Sequence, residues 1–166
     1  MDFNELYERQ KDRIFQLAFR LLGDSDRAAD AVQETFLRAY AARGGFRGEA
    51  APSTWLFRIG YNVCLSHLAD RREKSERLPE REPAELSGTG PEPSAERGEA
   101  GVEVRAALAR LEEADRRILC LRMEQDFDFK ELGEILECSP EAARQRYCRA
   151  RKRLRELLKP FLGEGS

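Results

Sequence analysis

The chain has 166 residues, 41% hydrophobic and 36% charged, and its 29 Lys and Arg against 31 Asp and Glu leave a formal net charge of −2. That length makes room for one or two domains with small cores. No stretch of about 18 apolar residues occurs, which excludes a membrane-spanning helix, and no basic-then-apolar leader opens the chain.

The first predicted helix runs from Phe3 to Leu22. Phe3, Leu6, Tyr7, Ile14, Leu17, Ala18, Leu21 and Leu22 recur at helical spacing, and Gly23 supplies a stop. Asp24 and Ser25 offer a cap for a second helix reaching Ala42. Its apolar face is Ala28, Val32, Phe36 and Leu37 or Tyr40, with Asp30, Gln33, Glu34 and Arg38 opposite. The segment from Gly44 to Glu49 is a loop carrying Phe46 and Arg47. Pro52-Ser53-Thr54 starts a third helix containing Trp55, Leu56, Ile59, Val63, Leu65 and Leu68, and it ends in the charged run from Asp70 to Lys74.

From Pro79 to Ala100 the composition turns to Pro, Gly, Ser and Glu with no apolar period. Such a segment cannot bury enough surface to order itself and reads as an acidic tether between domains. The second half begins near Val102. Val104, Leu108 and Leu111 form one stripe, and the segment from Ala114 to Glu124 carries Ile118, Leu119, Leu121 and Met123.

Asp128 followed by Glu131 has the capping-box pattern, and Leu132, Ile135 and Leu136 make a short apolar stripe behind it. Glu137-Cys138 is a tight connection. Ser139 caps the next helix and Pro140 fits its first position. From Ser139 to Lys159 eight Arg and Lys stand against Glu141 and Glu156, a local charge of +6 on a chain of −2. A short helix, a turn and a basic second helix form a helix-turn-helix, the arrangement that enters a DNA major groove. Read alone, the same basic helix also suits a membrane surface or a solvated face.

The expected fold is all-α: two small helical domains, residues 1–76 and 102–162, joined by a flexible linker at 77–101. In sequence order, LYERQKDRIFQLAFRLLGD, DAVQETFLRAY, FRGEAAPSTWLFRIGYNVCLSHLADRR, LARLEEADRRILCLRM and SPEAARQRYCRARKRLREL resemble the extracytoplasmic-function sigma factors of bacterial RNA polymerase. The resemblance covers both helical halves and leaves out the linker. It implies an initiation factor that binds core RNA polymerase and promoter DNA and answers to an anti-sigma factor.

Carried over by position, the resemblance assigns Asp30, Gln33, Glu34 and Phe36 to polymerase binding. It assigns Phe46, Arg47, Trp55, Arg58, Tyr61, Asn62, Arg71 and Arg72 to the −10 element. Opened strands need stacking surfaces, amides for base edges and cations for the backbone, which these residue types supply. The −35 set is Ser139, Arg144, Gln145, Arg146, Cys148, Arg149, Arg151 and Lys152. Arg144, Gln145, Cys148 and Arg149 stand nearest the bases, since Arg pairs with guanine and Gln with adenine, while Arg146, Arg151 and Lys152 hold phosphate or flank the core. Ala142-Ala143 replaces a common Thr-Val and Leu111-Glu112 a common Leu-Pro, so base preference stays open.

Trp55 lies on an apolar stripe, which favours a core place over a stacking one. Cys64 and His67 sit three apart on one helix, too few ligands for a metal site. Cys64, Cys120, Cys138 and Cys148 show no C-x-x-C spacing and read as reduced thiols in helical patterns, in keeping with a cytoplasmic protein. No catalytic, phosphate-loop or cofactor motif occurs. The competing reading is a stand-alone helix-turn-helix regulator with a signal-sensing first domain. Its weakness is the acidic overall charge, which disfavours unaided DNA binding. A helical metal or redox sensor rests only on the four Cys and one His.

Overall fold

The computed structural model describes residues 1–77, 99–124 and 126–163. Among them all regular structure is helical: α1 (Phe3–Leu22), α2 (Ser25–Ala42), a single 3-10 turn at Arg43–Gly45, α3 (Pro52–Arg77), α4 (Glu99–Arg110), α5 (Glu113–Glu124), α6 (Phe129–Leu136) and α7 (Pro140–Leu158). The chain divides into two compact units, one within residues 1–90 and one within 91–166. Most of the expected linker lies outside the described residues. Both of its edges are helical, however: α3 continues through Arg77 and α4 starts at Glu99. No Pro or Gly interrupts the first edge before Pro79, and Glu99-Ala100 are good helix formers ahead of the apolar stripe.

In the first unit α1, α2 and α3 pack on one another. Asp2 Oδ1 accepts from the Asn4 and Glu5 amides at 3.0 and 3.3 Å, and Asp24 Oδ1 from the Asp26 and Arg27 amides at 2.8 and 3.0 Å. Gly23 (φ 71°) closes α1, its amide donating to the Phe19 carbonyl. Ile14, Leu17, Leu56, Phe57 and Val63 fill the core. The side of α2 turned to that core carries small residues, Ala28, Ala31, Thr35 and Ala39, with Phe36 at its margin. The Thr35 hydroxyl returns a hydrogen bond to the Ala31 carbonyl at 2.6 Å, so its polarity is satisfied. Small side chains let the three axes approach closely. The expected stripe is therefore corrected: Val32 is half-buried, and Leu37 and Tyr40 face outward.

In the second unit α4, α5 and α6 each pack on α7. Leu111, Ile118, Leu119 and Ala150 form a core cluster flanked by Leu108, Leu136, Tyr147, Leu154 and Leu157. Positions 143, 147, 150, 154 and 157 of α7 keep the 3- and 4-residue spacing of one helix face, which turns to this cluster. The capping box at α6 is complete: the Glu131 amide donates to Asp128 Oδ1 at 2.8 Å, and Glu131 Oε2 accepts from the Asp128 amide at 2.9 Å. Ser139 Oγ accepts from the Ala142 amide at 3.1 Å.

The turn between α6 and α7 is made by Glu137 in the left-handed region (φ 55°, ψ 46°) and by Cys138, whose amide donates to the Gly133 carbonyl at 2.9 Å. Cys138 thus belongs to the turn and not to a helix. A Cβ on Gly133 would stand 2.6 Å from the Cys138 carbonyl oxygen and 3.3 Å from the Pro140 nitrogen. Both neighbours are backbone and cannot swing away. Gly133→Ala is therefore expected to cost the second unit about 1–3 kcal/mol, the usual range for overpacking, in urea unfolding. An unchanged midpoint would show that the turn opens freely.

Candidate nucleic-acid and partner interfaces

The buried stripe of α7 sets the direction of everything else on it. With Ala143 and Ala150 inside, Arg144, Gln145, Arg146, Cys148, Arg149, Arg151, Lys152, Arg155 and Lys159 are all exposed. The fold thus brings together the −35 set expected from sequence, with Ser139 as the cap that starts the helix. An N-terminal helix end presenting Arg and Gln beside a helix-turn-helix corner fits a major groove, and the later cations fit its phosphates.

Two cations of this helix are engaged. Arg149 Nη2 lies 3.4 Å from Asp115 Oδ1, and Arg153 Nη1 lies 2.6 Å from Asp115 Oδ2 and 3.4 Å from Glu112 Oε2. The hydrogen bond from Arg153 to Asp115 and the nearby charges of Glu112 and Asp115 raise the Arg153 guanidinium above its ordinary value. Asp115 was missed by sequence reasoning, although a signal existed. It falls between Leu111 and Ile118 at stripe spacing, where a carboxylate must find partners. Arg122 donates to the Phe127 carbonyl and stands 5.5 Å from the ring centres of both Phe129 and Tyr147, tying the α5–α6 connection to α7.

In the first unit Asp30 and Gln33 are exposed on α2, and Glu34 is half-buried. Phe36 is 7% exposed, its ring edge-on to Phe3 at 6.3 Å and to Tyr7 at 4.7 Å. Only the edge of its ring therefore reaches the surface. Beside it Leu37 is 71% and Tyr40 52% exposed. With Phe3, Gln33 and Phe36 they line an open groove of about 460 Å³. The Arg43 guanidinium covers the Tyr40 ring at 3.5 Å and donates to the Tyr40 carbonyl. Helical spacing puts either Leu37 or Tyr40 on the apolar face because it leaves the phase of the buried stripe open.

Glu34 Oε2 is 2.8 Å from His67 Nε2 on α3, and Glu34 Oε1 accepts from Arg38. The His67 hydrogen bond, opposed by desolvation and aided by Arg38, holds the Glu34 carboxyl below its ordinary value. A depressed carboxylate stabilises the fold above the ordinary carboxylate range and loses that contribution as acid protonates it. His67→Leu should accordingly lower stability near neutral pH, and the loss should shrink below about pH 4. Urea unfolding at both pH values checks this; an equal penalty at both would remove the pair as the cause. One turn earlier, burial pushes the Cys64 thiol up to about 12, so it is an inert core residue. Cys120 is also buried, Cys138 half-buried and Cys148 exposed, and none of the four forms a disulfide.

For the −10 set, Arg47, Arg58, Asn62, Arg71 and Arg72 are exposed. Arg58 and Asn62 lie one turn apart on the same side of α3. Phe46 and Trp55 are both half-buried and pack on each other with ring centres 5.1 Å apart, so each offers only part of a stacking face. Tyr61 is 6% exposed. Its ring packs in the core and leaves little face for stacking.

A family model described as sigma-70 region 2 matches residues 6–74, and one described as sigma-70, region 4 matches residues 101–154. The chain is 31% identical over 171 residues to the RNA polymerase sigma-H factor of Pseudomonas aeruginosa, spanning 98% of this chain and 89% of that protein. It is 28% identical over 168 residues to the ECF RNA polymerase sigma factor SigW of Bacillus subtilis, spanning 95% and 89%. Among solved structures it resembles CnrH in complex with the cytosolic domain of CnrY, with a TM-score of 0.68 and 26% identity over 95% of this chain and 88% of that one. It shares the fold of the sigma factor RpoE solved with the anti-sigma factor NepR from Bartonella quintana, with a TM-score of 0.74 and 24% identity over 95% and 97%.

Proposed function

The chain belongs to the sigma-70 family, in its extracytoplasmic-function branch, and on that premise we propose that it joins core RNA polymerase and directs it to promoters with −35 and −10 elements. The observation that carries this is the presence of both sigma regions, in order, on helices whose exposed faces suit the two tasks. Asp30, Gln33 and the Leu37–Tyr40 groove form the polymerase surface, with Glu34 anchored by His67 behind it. Asn62, Arg58 and the exposed parts of Phe46 and Trp55 receive the opened −10 strand, and Arg47, Arg71 and Arg72 hold its backbone. Arg144, Gln145, Cys148 and Arg149 read the −35 duplex, while Arg146, Arg151 and Lys152 bind phosphate.

The protein supplies no bond-making group; the polymerase performs the chemistry, in the cytoplasm where it works. No described helix is long and apolar enough to cross a membrane. An anti-sigma partner that covers these faces is part of the proposal, in line with the fold shared with the NepR-bound factor. Run-off transcription with core polymerase tests the reading. Addition of the chain should yield promoter-specific transcripts from a library of extracytoplasmic-function promoters. The absence of any transcript, together with a footprint on DNA by the chain alone, would favour a stand-alone regulator.

A further inference from the structure

Asp115 is the one buried charged residue among the described residues, with 0% of its side chain exposed. It sits in the first turn of α5, where the helix dipole favours a carboxylate. Each of its oxygens meets a different guanidinium of α7, Arg149 at Oδ1 and Arg153 at Oδ2, one helical turn apart. A buried carboxylate left alone is strongly unfavourable, so both Arg heads are drawn to it. The two contacts are unequal. At 2.6 Å Arg153 is clamped, whereas Arg149 at 3.4 Å remains 54% exposed. A guanidinium has five donors, and one long contact leaves the others for a second partner.

Reading guanine by two parallel hydrogen bonds needs the guanidinium plane held in place, while binding phosphate needs only charge. We propose that Asp115 is a positioning residue for promoter readout: it holds Arg149 beside Gln145 and Cys148 so that Arg149 specifies a base instead of capturing phosphate. The proposal rests on the −35 assignment of α7. Glu112 provides the contrast. It is 73% exposed and contacts Arg153 and not Arg149, so removing it changes the charge near α7 without releasing Arg149.

The test uses holoenzyme assembled from the full chain and core polymerase, and a promoter library randomised across the −35 region, with bound fractions sequenced. Asp115→Asn keeps the shape and an acceptor oxygen but removes the charge. It should flatten preference at one base position by about tenfold and leave the other positions intact. Arg149→Lys should flatten the same position. Glu112→Gln should leave the profile unchanged. With the chain alone on random-sequence duplex, Asp115→Asn should bind more tightly at low salt, with the log–log salt slope steeper by about one. Asp115→Ser repeats both measurements should the amide variant fail to fold. A sharp wild-type profile that Asp115→Asn leaves unchanged, or weakens evenly at all positions, overturns the proposal alone. A flat wild-type profile overturns the −35 assignment and the proposal with it.

Discussion

Replacing Phe127 with alanine is expected to lower the stability of the second unit by about 3–5 kcal/mol, the range for removing a fully buried aromatic ring. Phe127 is 0% exposed although it lies in the short connection between α5 and α6. Its carbonyl accepts from Arg122, whose guanidinium approaches the Phe129 and Tyr147 rings. The buried ring anchors this connection, and the carbonyl contact ties it to Arg122 beside α7. In a unit this small such a loss takes most of the folding free energy. Urea unfolding should show the loss directly. Promoter-directed transcription should fall while polymerase pull-down, which the proposed function assigns to the first unit, persists. A penalty below about 1 kcal/mol would mean that the site collapses around the missing ring.

Leu37→Asp is expected to weaken core polymerase binding by about 2 kcal/mol or more, roughly 30-fold, as for a central apolar contact of an interface. Leu37 is 71% exposed, so the folded chain tolerates the change, and thermal unfolding should move little. The buried Phe36 beside it serves as the floor of the groove with Phe3. Gln33 is the polar residue of its lining. Pull-down with core enzyme decides the matter: unchanged capture by a folded Leu37→Asp chain would remove the groove from the polymerase surface.

These two residues mark what local pattern conveys and what it does not. Phe127 and Leu37 are both large and apolar, and nothing in their immediate sequence says that the loop residue is buried and the helical one exposed. The boundaries of α1 and α2, by contrast, were legible from their caps. Gly23 and Asp24 act through groups within four residues, so the chemistry is complete in the local sequence; the Asp2 cap of α1 has the same local character but went unread. The same holds for the capping box at Asp128 and the Ser139-Pro140 start of α7. The exposed basic face of α7 was legible too, because a stripe of Ala, Tyr and Leu at helical spacing leaves the cations only one side.

Pattern and order along the chain suffice for the helices, the helix-turn-helix, the charge of its second helix and the kinship that gives the chain its task. Each of these rests on residues within a few turns of one another, or on order along the chain. Tertiary structure alone decided the phase of α2, where close packing through Ala28, Ala31, Thr35 and Ala39 turned Leu37 and Tyr40 outward. It also placed Tyr61 in the core. It joined Glu34 to His67, 33 residues away, and Asp115 to Arg149 and Arg153, 34 and 38 residues away. Ion pairs across helices depend on how packed faces meet. That meeting is a property of the assembled core and not of any one segment's period.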